Sequence, residues 1–165
     1  MRTLGIIFLS LLPIAIGIIK SHRLRLNFCI LREIKKLCLV LAQQMRYCLK
    51  EPLSLYEFVE TSPEFSSDLK KVVSAISGKT EYGEIFSSLE ALGENVVPKA
   101  HLGAVSDIFY GLGRSDLEAQ LAHLGYFAAL FEAEEQKARE RYDKKGGLWL
   151  GLSIALGAAV FVLLI

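Results

Sequence analysis

Charge is missing from both ends of this chain. Apart from Arg2, every Lys, Arg, Asp and Glu lies between Lys20 and Lys145, so residues 3–19 (TLGIIFLSLLPIAIGII) and 146–165 (GGLWLGLSIALGAAVFVLLI) are uncharged runs of 17 and 20 residues. A helix that crosses a bilayer needs about 20 predominantly apolar residues, with about 17 as the lower end. In hydrocarbon only a helix or a closed barrel satisfies its own backbone. The second run meets that length and the first sits at its limit. Pro13 is compatible with a spanning helix, because neighbouring groups can satisfy the carbonyl it frees. The expected organisation is an N-terminal transmembrane helix over 1–19, a water-exposed segment over 20–147 and a C-terminal transmembrane helix over 148–165.

A cleaved signal peptide is the rival reading of the first run, since Arg2 precedes an apolar stretch and Ala15-Ile16-Gly17 has a small-x-small pattern. Against it, Lys20, His22, Arg23 and Arg25 follow at once, and such charges hold their side of a span in the cytosol. Arg139, Arg141, Lys144 and Lys145 precede the second run. Both clusters border the middle segment, which is therefore expected to be cytoplasmic in a two-pass membrane protein, with both termini across the bilayer. In the second run Gly147, Gly151, Ala155 and Ala159 recur every four residues, widened by Ser153 and Gly157. That spacing gives a smooth face for close helix packing, against either the first span or another protein. Trp149 stands near the start of this run, where interfacial aromatic residues are common.

The middle segment is polarised. Lys20–Lys50 holds eight Lys or Arg and a single acid, Glu33, whereas Glu51–Gly147 holds ten basic and seventeen acidic residues. The blocks nearly cancel, leaving a formal net charge of +1, which argues against a nucleic-acid partner. The basic stretch Lys20–Lys36 suits contact with anionic headgroups of a lipid bilayer. The three cysteines, Cys29, Cys38 and Cys48, match neither a disulfide framework nor a zinc knuckle. They read as buried small hydrophobes on one helix, in a reducing compartment.

Strand alternation and hairpin turns are nearly absent, and helical periodicity dominates. Ile30, Ile34, Leu37, Leu41, Met45 and Cys48 step by four and three, predicting a helix that continues out of the first run to about Leu49, closed by Pro52. Ser54-Leu-Tyr-Glu57 reads as a capping box opening a short helix. Ser62-Pro63 reads as the start of the next, with Phe65, Leu69, Val72 or Val73, and Ile76 inward and Gly78 as its stop. A helix from about Thr80 to Gly93 places Tyr82, Phe86, Leu89 and Leu92 inward. The next places Leu102, Val105, Phe109 and Leu112 on one face and ends at Gly113. Ser115-Asp-Leu-Glu118 reads as a second capping box, opening a last helix that buries Leu117, Leu121, Leu124, Ala128 and Phe131. Beyond Phe131 the pairs Glu134–Lys137, Glu135–Arg139 and Glu140–Lys144 suit an exposed helix. The fold class is all-α: a cytosolic bundle of five or six helices flanked by the two transmembrane helices.

No catalytic, cofactor-binding or metal-binding residue is assigned, and no small-molecule substrate is expected. His22, His101 and His123 lack ligand partners at metal spacing and read as surface or edge histidines; Gly78-Lys79-Thr80 lacks the rest of a phosphate loop, as does Gly111-Leu-Gly113. No serine occupies a nucleophile elbow. Glu132, Glu134 and Glu135 read as a solvated, salt-bridged face.

The segment Leu112-Gly113-Arg114-Ser115-Asp116-Leu117-Glu118-Ala119-Gln120 resembles the LG-x-sD-x3-Q signature of the stage III sporulation protein AB family. The Gly-rich final helix, ending in Leu163-Leu164-Ile165, is similar to that family's terminal helix, and length, N-terminal anchor and basic first helix agree. The resemblance implies a subunit of the channel or secretion-like complex spanning the two membranes between mother cell and forespore. It implies a helical domain similar to the cytoplasmic domains of type II secretion F platform proteins. It also implies a place in the outer forespore membrane on the mother-cell side, among other membrane subunits and beside a cytosolic secretion-type ATPase. Capping accounts for Gly113, Ser115 and Asp116, but Gln120 falls one turn beyond a cap. Gln120, Arg114, Glu134 and Glu135 are thus the candidate partner contacts. The competing functions are a membrane-anchored adaptor or signalling domain unrelated to transport, a membrane-bound enzyme acting on lipids and, less suited to so large a middle segment, a holin-like pore former.

Overall fold

The computed structural model describes residues 2–48 and 52–164, without the side chains of residues 2–11, 14, 48, 52, 53, 150, 161, 163 and 164. Among the described residues the chain is helical throughout: α1 (Arg2–Cys48), α2 (Pro52–Thr61), α3 (Ser67–Ile76), α4 (Tyr82–Ala91), α5 (Leu102–Gly111) and α6 (Leu117–Leu164), with a 3-10 turn at Lys99–His101. They form two compact units, one of Met1–Phe28 with Gln136–Ile165 and one of Cys29–Glu135. No helix among the described residues is long and apolar enough to cross a membrane. The two expected spans coincide with the outer parts of α1 and α6; residues 2–11 and 14 of the first and 150, 161, 163 and 164 of the second lie outside the described side chains.

The Cys29–Glu135 unit carries the larger core. Ile30, Ile34, Leu37, Leu41 and Met45 are buried along one face of α1 as their spacing requires, joined by Leu31 and Cys38. Cys48 falls outside the described side chains, and Cys29 is exposed, so only Cys38 of the three is confirmed as a buried small hydrophobe. α2 packs on α3, α3 on α4 and α4 on α5, burying Leu55 and Val59, then Phe65, Leu69, Val72, Val73 and Ile76, then Ile85 and Leu89. α5 buries Leu102, Val105, Ile108 and Phe109; α6 buries Leu124, Phe127, Ala128 and Phe131.

Helix boundaries follow capping chemistry, though not always at the expected residue. Gly78, Gly93 and Gly113 take positive φ (77°, 82° and 77°) and stop the helices before them. Pro52 is the first residue of α2 rather than the residue that closes α1; its missing N–H costs nothing at that position. Ser54 consequently lies inside α2 and opens no capping box there. Ser62 ends the α2 segment, its amide bonded to the Phe58 carbonyl. The cap of α3 is Ser66, whose hydroxyl accepts from the Leu69 amide at 3.3 Å. Glu33, the one acid of the basic stretch, accepts from both the Ser66 amide (3.2 Å) and the Ser66 hydroxyl, tying the start of α3 to α1. α4 opens at Glu81 without a side-chain cap, not at Thr80. Its inward residues are Ile85 and Leu89; Tyr82 is exposed, and Phe86 and Leu92 are half-buried.

In the other unit Gly17 meets Ser153. A Cβ at Gly17 would lie 2.2 Å from Ser153 Oγ and 3.1 Å from the Trp149 carbonyl. Ser153 donates to that carbonyl at 2.6 Å, and the Lys20 ammonium lies 3.9 Å from the Trp149 ring centroid. Gly146, Ser153 and Gly157 are buried, whereas Gly147, Gly151, Ala155 and Ala159 are exposed. Where the first run is described, at Gly17, its contact on α6 is with Ser153 and the Trp149 carbonyl. Glu140 pairs with Lys144 at 3.3 Å as expected, and Arg139 pairs with Asp143 at 3.9 Å.

Candidate functional site

The segment 112–120 is a tight connection between α5 and α6. Gly113, in the left-handed region where a Cβ is disfavoured, turns the chain out of α5. Asp116 then caps α6: its Oδ1 accepts from the Ala119 amide at 2.8 Å, satisfying a donor left free in the first turn. The cap is thus Asp116, and the expected box on Ser115 does not form. Leu117, expected inward, is 39% exposed.

Gln120 holds this connection from inside. Its Oε1 accepts from the Gly113 amide at 2.9 Å and its Nε2 donates to the Ser115 carbonyl at 2.6 Å. The residue is only 8% exposed, so the expected partner contact through Gln120 gives way to a positioning role. Leu112 is buried beneath the turn, while Gly113, Arg114, Ser115 and Asp116 are exposed. The Arg114 guanidinium lies 3.8 Å from the Tyr110 ring centroid and donates to the Thr80 carbonyl. Tyr110 in turn meets Tyr82 edge to face at 5.5 Å.

Arg114 borders a cleft of about 380 Å³ walled by Tyr56, Ile85, Phe109 and Leu112 and by the chain at Gly78–Thr80. Burial pushes the Tyr56 phenol above its ordinary pKa, keeping this wall neutral. Lys79 also borders it, its ammonium donating to the Ala75 carbonyl at 2.7 Å and to the Ser88 hydroxyl. Among the described residues neither Lys79 nor Arg114 forms an ion pair with a carboxylate. Two cations held by carbonyls beside an apolar floor can receive an anionic group attached to an apolar one. Arg114 stands within the sequence motif, whereas Gly78-Lys79-Thr80 lacks the rest of a phosphate loop and carries no binding signal of its own. Only the folded chain brings those residues beside the motif.

The remaining candidates lie elsewhere. Glu134 and Glu135 follow Gln120 on α6 by about 20 Å of helix rise. Glu135 pairs with Lys35 of α1 at 2.5 Å, its side chain 13% exposed, with Glu132 at 4.0 Å from the same ammonium. The expected Glu135–Arg139 pair is replaced by this link. His123 is half-buried, packed edge to face on Phe127 at 4.9 Å and bonded through Nε2 to the Asp107 carbonyl at 3.0 Å. Its ring lies 2.4 Å from where a Gly111 Cβ would stand, so that glycine permits the approach of α6 to α5.

A family model described as stage III sporulation protein AB matches residues 2–165. No curated protein and no solved structure matches the chain.

Proposed function

We propose a function from one premise: this chain belongs to the stage III sporulation protein AB family, and its role is in sporulation. It works as a non-enzymatic platform subunit of the channel or secretion-like complex between mother cell and forespore. The two charge-free runs anchor it in the outer forespore membrane, and its cytoplasmic helical unit docks a secretion-type ATPase.

One observation carries the reading. Exposed large apolar side chains crowd the charge-free runs: Leu12, Ile16, Ile18 and Ile19 on α1, and Leu148, Leu152, Ile154, Leu156 and Val162 on α6. Apolar surface of that kind calls for a lipid or protein cover. Lys20 over Trp149 suits a membrane–water boundary. The anchor also draws on sequence outside the described side chains. Docking is supported by the motif connection, which Gln120 fixes and from which Arg114 borders the cleft that Lys79 also lines.

Two measurements test this. Membranes from sporulating cells, washed with alkaline carbonate, should retain the protein; its release into the wash would overturn the anchor. Detergent extracts should co-purify a secretion-type ATPase, and Lys79→Glu with Arg114→Glu should abolish that association while leaving the helical content unchanged. Full association in the double variant would remove the cleft from the docking surface. Absence of any ATPase would favour an adaptor unrelated to transport.

A further inference from the structure

The second charge-free run continues one basic side of α6. Arg141, Lys145, Leu148, Leu152 and Leu156 recur at steps of four and three, which puts them on one side of the helix, and all are exposed. Along that side the two cations come first and the leucines follow, 64%, 60% and 56% exposed in turn. The acids of the same stretch are engaged elsewhere: Glu140 pairs with Lys144 at 3.3 Å and Asp143 with Arg139 at 3.9 Å. Among the described residues neither Arg141 nor Lys145 pairs with an acid.

α1 adds a third cation at the same level. The Lys20 ammonium lies 3.9 Å from the ring centroid of Trp149, which stands about one turn from Lys145 on α6. Ser21 Oγ is 3.5 Å from the Cβ position of Gly146, which sets the two helices side by side where the charge-free run begins. Measured from Gly146 at about 1.5 Å per residue, Lys145 lies about 1.5 Å and Arg141 about 7.5 Å toward the middle segment. The interfacial layer beside the hydrocarbon is about 5–8 Å deep on each side of a bilayer. With the anchor proposed above, the two cations fall at the depth of lipid phosphates and the three leucines at the depth of acyl chains.

We infer that this side of α6 holds an anionic phospholipid, its phosphate between Arg141 and Lys145 beside the Lys20–Trp149 pair and its acyl chains along Leu148, Leu152 and Leu156. A free phosphate would use the cations and leave the leucines bare; a phospholipid covers both. A zwitterionic headgroup brings its own ammonium to a place where cations are already in excess, so phosphatidylglycerol is preferred over phosphatidylcholine. The inference rests on the membrane anchoring and adds to it a choice of lipid.

Trp149 is the only tryptophan of the chain, so its emission reads the lipid beside this site. Full-length protein is reconstituted into dioleoyl phosphatidylcholine bilayers containing equal mole fractions of either brominated phosphatidylglycerol or brominated phosphatidylcholine. The brominated phosphatidylglycerol should quench Trp149 in excess of its mole fraction, with a relative affinity severalfold above that of the other lipid. Arg141→Gln with Lys145→Gln should bring the two lipids level. Arg139→Gln with Lys144→Gln removes the same charge from the same stretch but off this side, and should keep the preference. Equal quenching by both lipids in the unmodified protein overturns the lipid site and leaves the anchor standing, as does a preference that the two double variants lose equally. Quenching by neither lipid overturns the anchor and the site together.

Discussion

Gln120 reaches back seven residues to accept the Gly113 amide at 2.9 Å, while its other amide atom donates to the Ser115 carbonyl. One buried side chain thus satisfies a donor and an acceptor that the left-handed turn at Gly113 exposes. Gln120→Ala leaves both backbone groups without that partner, which costs about 1–3 kcal/mol. Urea denaturation of the full-length protein in detergent measures it. Gln120→Glu keeps the acceptor but sets a carboxylate against the Ser115 carbonyl, so it should destabilise as much and recover in part as acid protonates it.

Asp116 and Ser115 are both capping residue types, and only Asp116 caps. Asp116→Ala should cost about 1 kcal/mol, within the usual range for losing an N-cap. Ser115→Ala should change stability by less than about 0.5 kcal/mol. Parallel denaturation curves decide; equal losses would contradict the cap geometry.

Much of the fold was legible because local chemistry dictates it. The three-four spacing of Ile30, Ile34, Leu37, Leu41 and Met45 gave the buried face of α1, and Gly78, Gly93 and Gly113 gave three helix ends. What escaped depends on contacts between distant residues. Ser66 outcompetes Ser62 as a cap because Glu33, 33 residues away, holds it. Gln120 looked surplus to capping because its bonds are to a turn rather than to the helix end. The cleft joins Thr80 to Arg114, 34 residues apart, and no local pattern announces that pairing. The four-residue repeat at Gly147 suggests a packing face from its spacing alone, whereas the contact of Gly17 with Ser153 is visible only in the fold.

Lys35 and Glu135 join α1 to α6 with side chains only 23% and 13% exposed. Removing one partner leaves a shielded charge, so Glu135→Gln should cost about 1–2 kcal/mol, below the loss at fully buried pairs. Lys35→Met combined with Glu135→Leu should recover most of that, because the pair is replaced by apolar contact. A double-mutant cycle from denaturation midpoints gives the coupling.

Gly17 lies where any side chain collides with Ser153, whereas nothing stands within 4 Å of a Cβ at Gly151. Ser21 Oγ is 3.5 Å from the Cβ position of Gly146, close enough for an engineered disulfide between those sites. In a background without native cysteines, Ser21→Cys with Gly146→Cys should cross-link within the chain. Adding Gly17→Val should suppress that product, and adding Gly151→Val should not.

Cys38 is fully buried and burial pushes its thiol from 9.0 up to about 12, so it stays protonated in the folded protein through pH 9–12. The unfolded chain ionises above about pH 9, so over that window the native state binds the extra proton. Stability is therefore unaffected by this group below pH 9 and falls as pH rises, by about 1.4 kcal/mol per unit at most. Cys38→Ala should flatten that slope while lowering stability at neutral pH through the lost packing. Alkylation at pH 8 of a Cys48→Ser protein should label Cys29 at once and Cys38 only on unfolding. Rapid labelling of Cys38 in the native state would show that α1 is not packed against its neighbours at that turn.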